Sequence, residues 1–202
     1  MKKILFVVNA MGRAGAETAL VELLNALKSP DVSLYLYVIM GQGEMIRRLP
    51  PHVVLLNKSF SSQSVLTRKG KRVMVKTICT AFFRNGRYGK KLSYILKNAA
   101  AMKKKGKIQI DKLLWRMLSD GGQRFGEPFD LAVAYLEGAS AYYVAEHVKA
   151  VRKAAFIHID YTSAGYTREM DQDCWSEYDR IFGVSDEVRE HFLAVYPEYE
   201  EK

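Results

Sequence analysis

Cysteine is scarce in this chain of 202 residues, in which only Cys79 and Cys174 occur. Two cysteines cannot form the disulfide framework of a small secreted domain, and no Cys/His spacing of the kind that binds metal ions is present. No segment approaches the roughly 18 consecutive apolar residues of a membrane-spanning helix. The apolar run in the N-terminal "MKKILFVVNA" is shorter than the roughly 7–15 residues of a secretory signal. We therefore expect a cytoplasmic protein, soluble or peripheral on the inner face of the membrane.

Acidic residues are outnumbered, with 22 Asp and Glu against 31 Lys and Arg, for a formal net charge of +9. Such an excess indicates an anionic partner, such as nucleic acid, a membrane surface or a phosphorylated substrate. The imbalance is concentrated, because residues 68–116 contain 16 of the basic residues and one acid, Asp111. The hydrophobic content of 49% is ordinary for a globular protein, so a core of normal size is expected.

Apolar segments alternate between the patterns of strands and helices. The runs Ile4–Val8, Val32–Met40 and His52–Leu56 predict three strands, and leucines at i, i+3, i+4 and i+7 between the first two predict a helix. Later segments predict three more strands, "FDLAVAYL", "KAAFIHI" and "YDRIFGVS", and two more helices, "SAYYVAEHV" and "DEVREHFLAVY". This alternation predicts an α/β domain over residues 1–202, with a Rossmann-like parallel sheet and helices on both faces.

A basic helical insertion of about residues 59–125 interrupts the alternation. Its sequence predicts two or three amphipathic helices, with breaks near Asn85-Gly86 and Gly106 and with aromatic residues between the charged ones. Such helices can lie in an anionic bilayer interface, where each basic residue contributes about 1 kcal/mol, or follow a nucleic-acid backbone. A solvated helical face is the third alternative. The residues that we predict to face a membrane are Arg84, Arg87, Lys103, Lys104, Lys105 and Trp115.

A glycine turn, Gly12-Arg13-Ala14-Gly15, joins the first predicted strand to the first helix. Such a turn can direct backbone N–H groups towards a phosphate, or it can simply permit tight packing. The dinucleotide fingerprint requires G-x-G-x-x-G and an acid after the second strand, and a P-loop requires Gly-Lys-Ser/Thr. Neither pattern is present.

Three segments together resemble the N-terminal domain of GT-B glycosyltransferases of family 4, the group 1 type. They are "KILFVVNAMGRAGAETALVELLNAL", "FIHIDY" and "YDRIFGVSDEVREHFLAVYP", in the order of the family. The resemblance covers most of the chain except roughly residues 59–125. The loop departs from the family, because Arg13-Ala14 stands where members often have Gly-Gly.

The resemblance implies the acceptor-side domain of a retaining glycosyltransferase. The donor, a nucleotide diphosphate sugar, would be held mainly by a C-terminal domain with an E-x7-E motif, which is absent from these 202 residues. The loop Gly12–Gly15 would face the donor phosphates, and His158 would be the catalytic residue nearest the donor sugar. The acceptor would be a hydroxyl of a cell-envelope glycan or a lipid-linked molecule. No bound cofactor or metal ion is implied.

The remaining candidate site residues have less support from the sequence pattern itself. Asp160 and Tyr161 follow a strand at the edge where open sheets bind ligands, so we predict that they contact the acceptor. Glu137 is either an acceptor-side acid or an acid at a helix start, and His158 without the resemblance could be structural. Ser185 is predicted to cap a helix rather than to act as a nucleophile.

Two other classes of function remain open from the sequence. One is a non-enzymatic protein that binds nucleic acid or an anionic surface through the basic helices. The other is a fragment of a nucleotide-dependent oxidoreductase, which is disfavoured because no acid stands at the end of the second strand before Glu44. The glycosyltransferase interpretation predicts no nucleic-acid partner.

Overall fold

The computed structural model of the chain describes residues 1–104 and 109–202, and in them a six-stranded parallel sheet. The strands are β1 (Lys2–Val8), β2 (Val32–Val38), β3 (Val53–Leu55), β4 (Phe129–Ala134), β5 (Ala150–Ile157) and β6 (Arg180–Gly183). Their order in space is β3-β2-β1-β4-β5-β6, which is the Rossmann order. The predicted fold class is therefore confirmed.

The central position of β1 explains its sequence. Leu5, Phe6, Val7 and Val8 are all buried, because β1 pairs with β2 on one side and β4 on the other. A strand covered on both faces has no solvent side and so reads as a continuous apolar run rather than an alternating one.

Helices cover both faces of the sheet. The helices are α1 (Gly15–Ala26), α2 (Arg68–Phe83), α3 (Tyr88–Lys104), α4 (Ile110–Asp120), α5 (Ala139–His147), α6 (Arg168–Asp171) and α7 (Asp186–Val195). On one face, α1 buries Leu20, Val21 and Leu24 against β1 and β2. On the other face, side chains of α2, α4, α5 and α7 share one large core with the sheet.

The predicted insertion is the connection from β3 to β4, and part of it belongs to the main core. The predicted break near Asn85 and Gly86 is confirmed, since both residues have left-handed backbone angles between α2 and α3. The break predicted at Gly106 lies outside the described residues. Met117 and Leu118 of α4 are buried in the core beside α5, so α4 is a layer helix of the fold rather than an added surface element.

The last long helix begins as its sequence predicts. The Ser185 hydroxyl accepts a hydrogen bond from the Val188 amide at 3.2 Å, which confirms the predicted N-cap of α7. Within residues 1–104 and 109–202, no helix combines the length and the apolar character that crossing a membrane requires.

Candidate functional site

The carboxyl ends of β1 and β4, which are neighbours in the sheet, form its switch point, and the space above them is called the crevice. The chain leaves β1 towards α1 on one face and leaves β4 towards α5 on the other, so the two connections diverge at this point. Open α/β sheets bind ligands at such switch points. Asn9 ties the two connections together, because its side chain donates to the Glu137 carbonyl at 3.0 Å and accepts from the Ser140 amide at 2.8 Å.

The glycine turn forms one rim of the crevice and leaves space above it. Neither Gly12 nor Gly15 has a left-handed backbone angle, and a Cβ built on either would have no neighbouring atom within 4 Å. Tight packing therefore does not require glycine at these two positions. Helix α1 starts at Gly15 with Ala14 as its N-cap, which offers no side-chain cap, while Arg13 is exposed. The Glu17 carboxyl takes a hydrogen bond from its own backbone amide, and the other N–H groups of this helix start have no side-chain cap from Ala14.

Three carboxyl groups gather at the same crevice. Glu137 is 7% exposed, and burial raises the pKa of its carboxyl. Glu17, in the first turn of α1, also has a raised pKa, first because it is partly buried and then because the charges of Glu137 and Glu44 are near. Glu44 lies here because the Met45 amide donates to the Met11 carbonyl at 2.9 Å and so holds the two loops together. A raised pKa makes a carboxylate a stronger proton acceptor than a free one.

His158 lies directly after β5 and meets Glu137 across the crevice. Its amide donates to the Glu137 carboxylate at 3.0 Å. The imidazole is half-buried with its ring centre 5.2 Å from that of Tyr135, and its Nε2 atom is buried without a hydrogen-bond partner among the described residues. Burial lowers the pKa of the imidazole, partly offset by a hydrogen bond with the Tyr135 backbone, and so favours the neutral ring. The hydrogen bond from the His158 amide holds this backbone beside the Glu137 carboxylate.

Asp160 stands at the edge of the crevice with its carboxylate already engaged. One oxygen accepts from the Thr162 amide at 2.9 Å and from the Thr162 hydroxyl at 2.6 Å, and it lies 2.9 Å from Nδ1 of His191. The hydrogen bonds from Thr162 and Ser163 lower the pKa of Asp160. The Asp160 carboxylate therefore stabilises the turn after β5.

The prediction that Tyr161 contacts the acceptor needs correction. Tyr161 is completely buried, and its hydroxyl donates to the Asp171 carboxylate at 2.6 Å. The same carboxylate accepts from the hydroxyls of Tyr142 at 2.7 Å and Tyr196 at 2.6 Å, and from the indole of Trp175 at 3.3 Å. Burial nevertheless raises the pKa of Asp171. Tyr161 belongs to this buried network, which joins α5, α6 and α7 beneath the crevice.

Arg116 extends the network on the side of α4. Its guanidinium donates to the Glu146 carboxylate and to the carbonyls of Met170 at 3.2 Å and Asp171 at 2.5 Å. It also stacks over the Tyr142 ring at 4.3 Å. The sequence shows Arg116 only as one more basic residue in a basic run, and nothing in that run distinguishes a buried arginine from a solvated one.

Trp115 also faces inwards, which corrects its predicted membrane contact. It is half-buried, and a Cβ built on Gly138 would lie 2.9 Å from its indole ring. Gly138 has a left-handed backbone angle and starts the turn into α5, so Trp115 packs on the wall of the crevice. Of the other residues in that prediction, Arg84, Arg87 and Lys103 are exposed, Lys104 ends α3, and Lys105 lies outside the described residues.

One cluster has the spacing of metal ligands. Atoms of Asp120, Glu146 and His147 lie within 4.8 Å of one another. His147 contacts Asp120 at 3.0 Å, while Glu146 is paired with Arg116. Because each potential ligand already has a protein partner and Arg116 adds a positive charge, we assign no metal ion to this cluster.

Comparison with protein-family models gives no match for this chain, and comparison with curated proteins gives no significant match. The fold and the crevice described above are therefore the basis for any assignment of function.

Proposed function

We propose that this chain is the acceptor-side domain of a retaining GT-B glycosyltransferase. The observation that carries the proposal is that a helix start without an N-cap side chain lies with His158 and Glu137 at the switch point of a Rossmann sheet. The sequence resemblance adds the reaction class. The complete enzyme would move a sugar from a nucleotide diphosphate sugar to a hydroxyl of a cell-envelope glycan or lipid-linked acceptor.

The surroundings of His158, Glu137 and the start of α1 suit different roles in sugar transfer. A neutral His158, with its buried Nε2 unpaired among the described residues, can bind a sugar hydroxyl without bringing a second charge into the crevice. Glu137 fixes the His158 backbone and presents a carboxyl whose raised pKa suits proton exchange with an acceptor hydroxyl. The N–H groups at the start of α1 would face the donor phosphates.

The acids of the crevice also limit what this domain can do alone. Glu17 lies in the first turn of α1, where its charge competes with a phosphate for the same helix end. We therefore expect at most weak binding of a nucleotide diphosphate sugar and no sugar transfer by the isolated chain. A second domain must supply most of the donor contacts, and no metal ion or other bound cofactor is required.

The test uses the polypeptide that the gene encodes, with any sequence that follows Lys202. We expect a second α/β domain with an E-x7-E motif and release of nucleotide diphosphate from one of a panel of nucleotide sugars when cell-envelope extract is added as acceptor. The 202-residue chain alone should release none. A gene that ends at Lys202, or transfer by the isolated chain, would contradict the proposal.

A second candidate function is attachment to an anionic membrane through α2 and α3. Five large apolar side chains are exposed here, with 67% of Phe83, 59% of Leu96, 55% of Val75, 51% of Leu92 and 49% of Tyr88 accessible. Exposed basic residues surround them, namely Arg84, Arg87, Lys90 and Lys97. Apolar side chains beside basic ones are typical of helices that lie in the bilayer interface.

Co-sedimentation with vesicles tests the attachment. We expect binding to mixed phosphatidylglycerol and phosphatidylcholine vesicles and little binding to phosphatidylcholine alone. The affinity for the mixed vesicles should fall about tenfold in Leu92→Ser/Leu96→Ser, because complete burial of a leucine contributes about 1.5–3 kcal/mol. The control is Val151→Ser, an exposed apolar residue on β5. Equal loss in both variants, or binding to DNA or RNA instead of vesicles, would exclude the attachment.

A further inference from the structure

A second depression lies at the carboxyl ends of β2 and β3, beside the crevice and on the face covered by α2 and α4. It is a cavity of about 680 Å³ between the loop 57–61, the helix α2 and the turn that follows α4. This volume falls within the roughly 300–1,000 Å³ of small-molecule sites. Its apolar wall includes Ile39, Phe60 and Leu118.

The polar lining of this cavity is cationic. Its charged residues are Lys58, Lys76, Arg84 and Arg124, and no described residue that lines it is acidic. Mixed charges are usual on protein surfaces, so four cations around one cavity without an acid produce a focused positive potential. A cavity of this kind favours an anion.

The cations are not neutralised by partners within the fold. The side-chain ammonium groups of Lys58 and Lys76 have no hydrogen-bond or ion-pair partner among the described residues. Arg84 donates to the Gly121 carbonyl at 3.3 Å, and Arg124 donates to the carbonyls of Gly122 at 3.2 Å and Asp120 at 3.0 Å. These contacts orient the two guanidinium groups without ion pairs, because the acceptors are neutral carbonyls, although the Asp120 carboxylate attracts Arg124 from outside the cavity.

Neutral polar groups complete the lining. Thr77 and Thr80 donate their hydroxyl protons to the carbonyls of Met40 and Lys76, which leaves their oxygens able to accept hydrogen bonds. Ser59 and Asn85 add further polar atoms at the rim. These polar groups can bind hydroxyl groups of a ligand, while the basic side chains bind its negative charge.

We infer that the cavity between α2 and the loop 57–61 binds a small molecule that carries one or two phosphate groups, held by Lys58, Lys76, Arg84 and Arg124. The lysines supply unpaired point charges, and the oriented guanidinium groups supply paired donors that match phosphate oxygens. The phosphate belongs either to a free metabolite or to a lipid headgroup. This inference does not depend on the proposed glycosyl transfer, because it concerns a different cavity.

Calorimetric titration of the chain with pyrophosphate at constant ionic strength tests the inference. We expect saturable binding with a dissociation constant of about 1 mM or tighter, and an affinity at least about tenfold weaker in Lys58→Gln/Lys76→Gln, because each charge near the ligand contributes several-fold. The matched control is Lys69→Gln/Lys71→Gln, which removes the same charge from exposed positions of α2 outside the cavity. The control should bind within about twofold of the natural chain.

Further variants and a vesicle assay distinguish loss of charge from loss of fold. Lys58→Arg/Lys76→Arg should keep most of the affinity, which separates lost charge from a damaged fold, and melting temperatures without ligand should agree among all variants. Binding to vesicles with phosphatidylglycerol identifies the source of the phosphate group. If the cavity binds a lipid headgroup, Lys58→Gln/Lys76→Gln loses vesicle binding and the control does not. If it binds a free phosphate compound, both variants bind vesicles equally. Absence of pyrophosphate binding, or equal loss in the control, would overturn the inference.

Discussion

Two neighbouring depressions at the carboxyl edge of one sheet have opposite chemistry. The crevice between β1 and β4 gathers Glu17, Glu44 and Glu137, whereas the cavity beside α2 is lined by four basic side chains and, among described residues, by no acid. The net charge of +9 is therefore not spread evenly over the molecule. In the two proposals above, the acidic crevice would exchange protons with hydroxyl groups beside the donor phosphates, and the basic cavity would bind a separate phosphate-bearing molecule.

The two sites also differ in how the fold supports them. The crevice rests on the buried Asp171 network, whose carboxylate accepts four hydrogen bonds from side chains. The wall of the basic cavity depends on α2, whose last carbonyls are capped by a lysine. The Lys91 ammonium, only 2% exposed, donates to the carbonyls of Ala81 at 2.8 Å, Phe82 at 3.0 Å and Arg84 at 2.7 Å.

The largest expected effect concerns the support of the crevice. Asp171→Ala leaves three tyrosine hydroxyls and an indole without their acceptor in the core, so we expect the free energy of unfolding to fall by about 3–5 kcal/mol. The exposed Asp31, changed to Ala, is the control and should alter stability by less than about 0.5 kcal/mol. Chemical denaturation measures both. A loss below about 1 kcal/mol for Asp171→Ala would show that the network does not hold this half of the fold.

A smaller effect is expected at the support of the basic cavity. Lys91→Met removes the ammonium and leaves three carbonyls at the end of α2 without that donor, which should lower the free energy of unfolding by about 1–3 kcal/mol. Pyrophosphate binding should weaken with it, because α2 carries Lys76. The exposed neighbour Lys90, changed to Met, serves as control in both measurements. If both variants behave alike, the cap does not support the cavity.

The smallest expected effect is a pH dependence in the crevice. Burial raises the pKa of Glu137 above its unfolded value, so the folded state binds more protons between the two pKa values. The natural chain should therefore gain stability relative to Glu137→Gln as the pH falls through the folded pKa, and the gain should be complete below the unfolded pKa of about 4.3. Denaturation of both proteins from pH 7 to pH 4 measures the difference. A flat difference, or one of opposite sign, would contradict the burial of this carboxyl.

The fold could be predicted from local patterns because each element carries its own signal. The continuous apolar run Ile4–Val8 predicted a strand, and Ser185 predicted the start of α7. Alternation of strands and helices then predicted a parallel sheet. These signals depend on neighbours along the chain, which the sequence displays directly.

The failures concern side chains whose partners are distant in sequence. Trp115 and Arg116 lie in a basic amphipathic helix, yet one packs on Gly138 and the other pairs with Glu146. Tyr161 was predicted at the ligand edge, and the distant Asp171 draws it into the core. A basic run shows which residues carry charge, but only the tertiary contacts decide which charges are solvated.

The central claim is that His158 acts at the reacting centre of a sugar transfer, and the turnover of the complete polypeptide with His158→Ala tests it most directly. The control is His52→Ala, whose imidazole contacts the Leu24 carbonyl at 2.9 Å away from the crevice. The account predicts that kcat falls about 100-fold or more in His158→Ala, with an unchanged melting temperature and near-normal turnover in the control. Turnover within a few-fold of the natural enzyme, or a variant that loses activity because it unfolds, would contradict the account.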